Sequence, residues 1–160
     1  MGPGVALETL APAAVPADLR READALSHAL QPAIQAHQME APVVSAQRLS
    51  LSLGAGRCFD AHSGQLHWAA LAPVVQLATV LARYPAQVVW IVGRGADAGD
   101  PYSLAERRAA SVAAVLRRHG IPRARSRFIT APAAGRAPVI EVVVVPLLTG
   151  RVPAAYMPPA

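Results

Sequence analysis

Lysine and asparagine are absent from the 160 residues, so all fifteen basic side chains are arginine. Without lysine there is no Schiff-base amine and no P-loop phosphate ligand; without asparagine there is no Asn-x-Ser/Thr glycan acceptor. The double absence points to a GC-rich genome rather than to a mechanism. Aromatic residues make up only 4% of the chain while hydrophobic residues make up 53%, so a sizeable core is expected, built from Ala, Val and Leu. The single cysteine, Cys58, rules out an internal disulfide. Beside Phe59 it reads as a small buried hydrophobe, not a nucleophile. No run of about 18 apolar residues occurs, so no membrane-spanning helix is expected. The opening Met1-Gly2-Pro3-Gly4-Val5 lacks the basic start and apolar stretch of a secretory signal. An exported protein would then take its signal or anchor from outside this sequence, and otherwise the protein would be cytoplasmic.

What is present divides the chain. Residues 1–15 are rich in Pro, Ala and Gly and read as a disordered lead; residues 150–160, with Pro153, Pro158 and Pro159, read as a flexible tail. Between them, residues 16–42 form an N-terminal helix and linker. Leu19, Ala23, Leu26 and Leu30 stand at helical spacing and Pro32 kinks or splits the helix, which reads as a docking arm or a spacer. A half-buried strand follows from Arg48, with Leu49, Leu51 and Leu53 on one face and Ser50 and Ser52 on the other. Gln65 to Arg83 reads as a helix interrupted by Pro73. Gln87 to Gly93 is continuously apolar, which suits a strand buried on both faces. Ser103 to His119 is a helix, with Ser103 and Glu106 placed as a capping box and Gly120 and Pro122 as its stop. Two strands close the set, Arg127 to Thr130 and Val139 to Val145. Helices and strands alternating in this way imply a mixed sheet packed by helices.

Chemical motifs are few. His28, His37, His62, His67 and His119 form no i,i+4 pair and have no nearby cysteine, which disfavours a metal site. No G-x-S-x-G elbow appears, and the glycines after the apolar strand are wrongly spaced for a dinucleotide loop. No enzyme activity, cofactor or metal is therefore expected. A net charge of +5 suits nucleic acid, anionic lipid, an anionic wall polymer or plain solubility. Arg123, Arg125 and Arg127 alternate and, with Arg117 and Arg118, suggest a basic patch. No aromatic stacking platform accompanies them, so nucleic acid is not the expected partner.

Three segments carry a family resemblance: Arg57-Cys58-Phe59-Asp60 with Ser63-Gly64-Gln65-Leu66, Tyr84-Pro85 to Gly93, and Leu104-Ala105-Glu106-Arg107-Arg108-Ala109-Ala110-Ser111-Val112 running on to Leu116 and Gly120-Ile121-Pro122. From Leu49 to Val145 the chain resembles the OmpA-like domains of OmpA C-termini, peptidoglycan-associated lipoproteins and flagellar stator B subunits. The resemblance implies an α/β fold over residues 43–149, a β-α-β-α-β-β sandwich with a mixed four-stranded sheet, plus the extra N-terminal helix. It implies a non-enzymatic, periplasmic module of a Gram-negative envelope that grips the diaminopimelate of peptidoglycan stem peptides and anchors other envelope proteins. In such a grip a carboxylate takes the ammonium and an arginine fork takes the carboxylate. By position, the implied ligand-binding residues are Arg108, Asp97 and Asp60. The chain departs from the pattern where the family aspartate falls at Ala96, one residue before Asp97. It departs again in a shortened loop without the family asparagine, and at Pro138-Val139, where the family has paired arginines. The alternative reading is accordingly a degenerate frame that has lost the wall and serves as a protein–protein scaffold in an envelope or secretion complex.

Overall fold

The computed structural model describes residues 17–95, 101–133 and 137–147, with side chains in the last long helix described from Leu104 onward. The expected lead and tail lie outside the described residues. The chain begins with α1 (Ala17–Ala29) and α2 (Gln31–Gln35), separated at Leu30 with Pro32 at the start of the second. There a proline costs no hydrogen bond. Leu19, Leu26, Leu30 and Ala33 are buried in the main core, so this helical pair is part of the domain's packing rather than a spacer.

The described strands form one five-stranded sheet in the order β1-β2-β5-β3-β4, built from β1 (Val43–Ser45), β2 (Arg48–Gly54), β3 (Gln87–Arg94), β4 (Ser126–Ala131) and β5 (Val139–Pro146). The sheet therefore has one strand more than the four expected. The extra strand is β1, three residues folded back on β2 in a tight hairpin and too short to show a period of its own. β2, β5 and β3 pair antiparallel, while β3 and β4 run parallel. A parallel pair needs a crossover, and α5 (Pro101–Arg118) supplies it. This helix starts at Pro101, two residues before the expected cap, so Ser103 lies inside its first turn. It ends before Gly120, whose φ of +108° is one that residues with a Cβ rarely adopt.

Two other helices complete the domain, the short α3 (Ala55–Cys58) and α4 (Trp68–Leu81). The main core lies between the helices and one face of the sheet, where Leu49, Leu51, Leu53, Val89, Ile91, Ile140, Val142 and Val144 meet Val74, Leu77, Leu81, Val112 and Leu116. The opposite face gathers Val88, Trp90, Val92, Val143 and Val145 into a second cluster that contains no helical residue. Cys58 is buried and donates to the Gln38 carbonyl at 3.3 Å. Burial pushes its thiol up to about 11, which leaves it protonated and inert at neutral pH.

Pro73 sits inside α4 without an N–H for the Ala69 carbonyl four residues back. The Gln38 side-chain amide donates to that carbonyl at 3.2 Å, filling the gap from another part of the chain. Replacing Gln38 by alanine is expected to leave the Ala69 oxygen unpaired and to lower stability by about 1 kcal/mol. A shift of the urea midpoint at unchanged slope would measure it; an unchanged midpoint would mean that the bond contributes nothing.

Candidate functional site

The implied ligand-binding mouth lies where β3 hands over to α5. Gly93 and Ala105 bring strand and helix together: a Cβ built on Gly93 would stand 2.3 Å from the Ala105 carbonyl oxygen. Only glycine fits so close to another backbone. One turn beyond Ala105, Arg108 is half-buried beside a hollow of about 40 Å³ lined by Ala55, Gly95, Leu104, Pro138 and Ile140.

Arg108 is held in one orientation. Its Nε donates to the Ser63 carbonyl at 2.9 Å, and its guanidinium carbon lies 5.4 Å from the centre of the Phe59 ring, within cation–π range. Ser111 fastens the same loop by donating from Oγ to the Gly64 carbonyl at 2.5 Å. Nη1 and Nη2 of Arg108 have no partner among the described residues, so the outer fork of the guanidinium remains available to a carboxylate. Burial, followed by the like charge of Arg107, lowers the guanidinium's affinity for its proton. Both effects disfavour the charged form of the side chain.

The other two expected ligand residues fare differently. Asp97 lies outside the described residues. Asp60 is exposed in the turn between α3 and α4, where its N–H donates to the Gln65 carbonyl and its own carbonyl accepts from Ser63. Asp60 and Arg108 thus touch the same loop, but the described residues contain no ion pair between them. The acid that does sit at this end of the sheet is Glu141, which the motif comparison did not single out. It accepts from Arg94 Nε at 3.0 Å. Val92 and Glu141 are register partners, and Arg94, two residues on, shares their face by alternation. That face is opposite the main core, while Arg94 itself also borders the hollow beside Arg108. The alternation of β3 could have given this from sequence; the register to β5 could not.

The expected basic patch is also rearranged. Arg123–Arg125 form a 3₁₀ turn rather than an extended run. Arg125 turns inward and donates to the carbonyls of Gln87 (2.7 Å) and Tyr84 (3.0 Å). Arg117 donates to Ser126 and lies over the Phe128 ring. Two of the arginines counted for a surface patch are therefore engaged in holding α5 and β4 to the sheet. His67, one of the five histidines, caps α4 by accepting from the Ala69 N–H at 3.2 Å.

A mixed sheet in this strand order, with helices on one face, is an OmpA-like fold. Among solved structures, a MotB-like protein from Desulfovibrio vulgaris matches with a TM-score of 0.69 at 14% identity, over 84% of this chain and 95% of that one. The cell wall anchor of the T6SS from Pseudomonas aeruginosa matches with a TM-score of 0.65 at 18% identity, over 76% and 96%. The OmpA-like domain of FopA1 from Francisella tularensis matches with 0.50 at 13%, over 68% and 80%. No protein-family model and no curated protein matches the sequence. At these identities the likeness is one of fold.

Proposed function

We propose that this chain is a non-enzymatic module of the Gram-negative cell envelope, periplasmic in location, that holds peptidoglycan through the diaminopimelate of its stem peptide and so anchors other envelope proteins. The observation that carries this reading is Arg108: Nε tied to Ser63, the guanidinium set against Phe59, and the outer fork without a partner among the described residues, in a half-buried position. A guanidinium immobilised in this way loses little entropy on taking a carboxylate. The reading is supported by a fold shared with a MotB-like protein and with a T6SS cell wall anchor. Asp97 is the acid proposed for the ligand's ammonium, with Asp60 at the rim.

The second reading, a scaffold that has given up the wall, draws on specific observations. Ala96 stands at the family's aspartate position, Glu141 is committed to Arg94 on the other face, and the hollow of about 40 Å³ holds a water or two rather than a stem-peptide terminus.

Co-sedimentation with purified diaminopimelate-type sacculi separates the two. Under the wall reading, Arg108→Ala is expected to lower retention at least tenfold, and Arg108→Lys is expected to restore little of it, since an ammonium cannot reproduce the fork. Wild type that stays in the supernatant, or retention equal in all three proteins, would defeat the wall reading and leave the scaffold.

A further inference from the structure

Trp68 is the most exposed large hydrophobic residue among those described, with 82% of its surface open to solvent, and Leu71, one turn along α4, is 45% exposed. Neither contributes to the core or to the Arg108 mouth. Leu71 lines a groove of about 620 Å³ between α4 and the outer face of α5, and Trp68 stands one turn before it on α4, outside the lining. Its floor is apolar and shallow, formed by Leu66, Leu71, Ala110, Ala114 and Val115. Arg107 and Arg118 stand at its two ends, three turns of α5 apart, or roughly 16 Å along the axis. Both are exposed, and neither is ion-paired among the described residues.

We infer that this groove is a docking site for an acidic amphipathic helix of another protein. Exposed Trp with flanking Arg is the composition of an interface hot spot, where an aromatic anchor buries area and a charged rim sets register. The small side chains Ala110, Ser111 and Ala114 between the arginines leave the backbone of a bound helix free to approach closely. Carboxylates at its two ends, three turns apart, would meet Arg107 and Arg118 together. A second copy of this chain is the wrong occupant: two such grooves face to face would oppose arginine with arginine, on a protein already at +5.

The inference does not rest on wall binding, because Trp68 and Arg118 lie outside the Arg108 mouth. The full chain would be titrated with a synthetic fifteen-residue amphipathic peptide carrying leucines on one face and two glutamates eleven residues apart. Its partner peptide would have both glutamates replaced by lysine. Tryptophan emission reports the contact in wild type and Arg118→Glu, since Trp68 is open to water while Trp90 is buried, and the anisotropy of a fluorescein-labelled peptide reads the affinity of every variant, Trp68→Ala included. Saturable binding of the glutamate peptide with a blue shift is expected. It should weaken at least tenfold in Trp68→Ala and in Arg118→Glu, with retention on sacculi the same as wild type. No saturable binding, equal binding of the lysine peptide, or equal affinity in Trp68→Ala would overturn the inference. Concentration-dependent dimerisation abolished by Trp68→Ala would overturn it in favour of a second copy.

Discussion

Replacing Gly93 by alanine is expected to lower stability by about 3 kcal/mol, a fall in Tm of about 10 °C for a chain of this size. The added methyl would lie 2.3 Å from the Ala105 oxygen and 2.9 Å from its carbonyl carbon. Both are backbone atoms of a buried residue in α5, so no side chain can rotate away; strand and helix must part, or the helix must slide. α5 also covers β3 through Ala109, Val112 and Leu116, all fully buried, and parting them opens the main core. Gly56 is the control. Nothing lies within 4 Å of its added Cβ, and in the short α3 alanine there is expected to be neutral or slightly stabilising. A calorimetric scan of both variants decides the matter: equal Tm values would mean that the close approach of α5 to β3 does not govern stability. The change should also impair sacculus retention if Arg108 binds wall, because Arg108 rides on the same helix one turn away.

The second large effect is a dependence of stability on pH between about 4.5 and 7. Glu22 of α1 is fully buried, and its carboxyl is pushed up to about 7, first of all by burial. Asp18 on the same helix adds to the rise, while the hydrogen bond from Gln87 and the charge of Arg125 oppose it. Gln87 donates from Nε2 to Glu22 Oε1 at 2.5 Å, while Glu22 Oε2 and Gln87 Oε1 are both without partners. A buried, unpartnered Oε2 is costlier as part of a charged carboxylate than of a neutral acid, which agrees with the raised pKa. The folded pKa lies above the unfolded value, so the folded state binds the proton more tightly. The stabilisation is complete below about 4.5 and is lost as pH rises to about 7. Its full span is about 3 kcal/mol, taken from a shift of this size. Glu22→Gln is expected to flatten the profile and to be the more stable protein at pH 8. Denaturant midpoints across pH 4–8 test this, and a wild-type curve that rises over the window would reject the buried, protonated carboxyl.

The same pair shows why sequence leaves the N-terminal helix open between a docking arm and a spacer. Leu19, Leu26 and Leu30 announce an apolar stripe, but a stripe does not name the surface that it meets. Glu22 looks like a solvent-facing charge from sequence, and only its contact with Gln87, sixty-five residues away, reveals that this turn of the helix is inside. The site was legible to a similar depth. The run from Leu104 to Val112 singled out Arg108, because the residue type and its place on the helix are local facts. That its Nε is spent on Ser63 and its fork left open depends on a loop forty-five residues earlier. Alternation puts Arg94 and Glu141 on the far face, but only the register between β3 and β5 brings them together.

Sequence by itself determined what depends on neighbours a few residues apart: the alternation in β2, the apolar run of β3, the stop after α5, and an aromatic-poor core. Those preferences are set by backbone sterics and side-chain periodicity, which act locally. Tertiary structure alone decided the fifth strand, the Gln38 amide that completes a proline-interrupted helix, the buried state of Glu22, the inward turn of Arg125 and the groove between α4 and α5. Each of these requires atoms distant in the chain to meet, and register, burial and charge pairing are properties of that meeting.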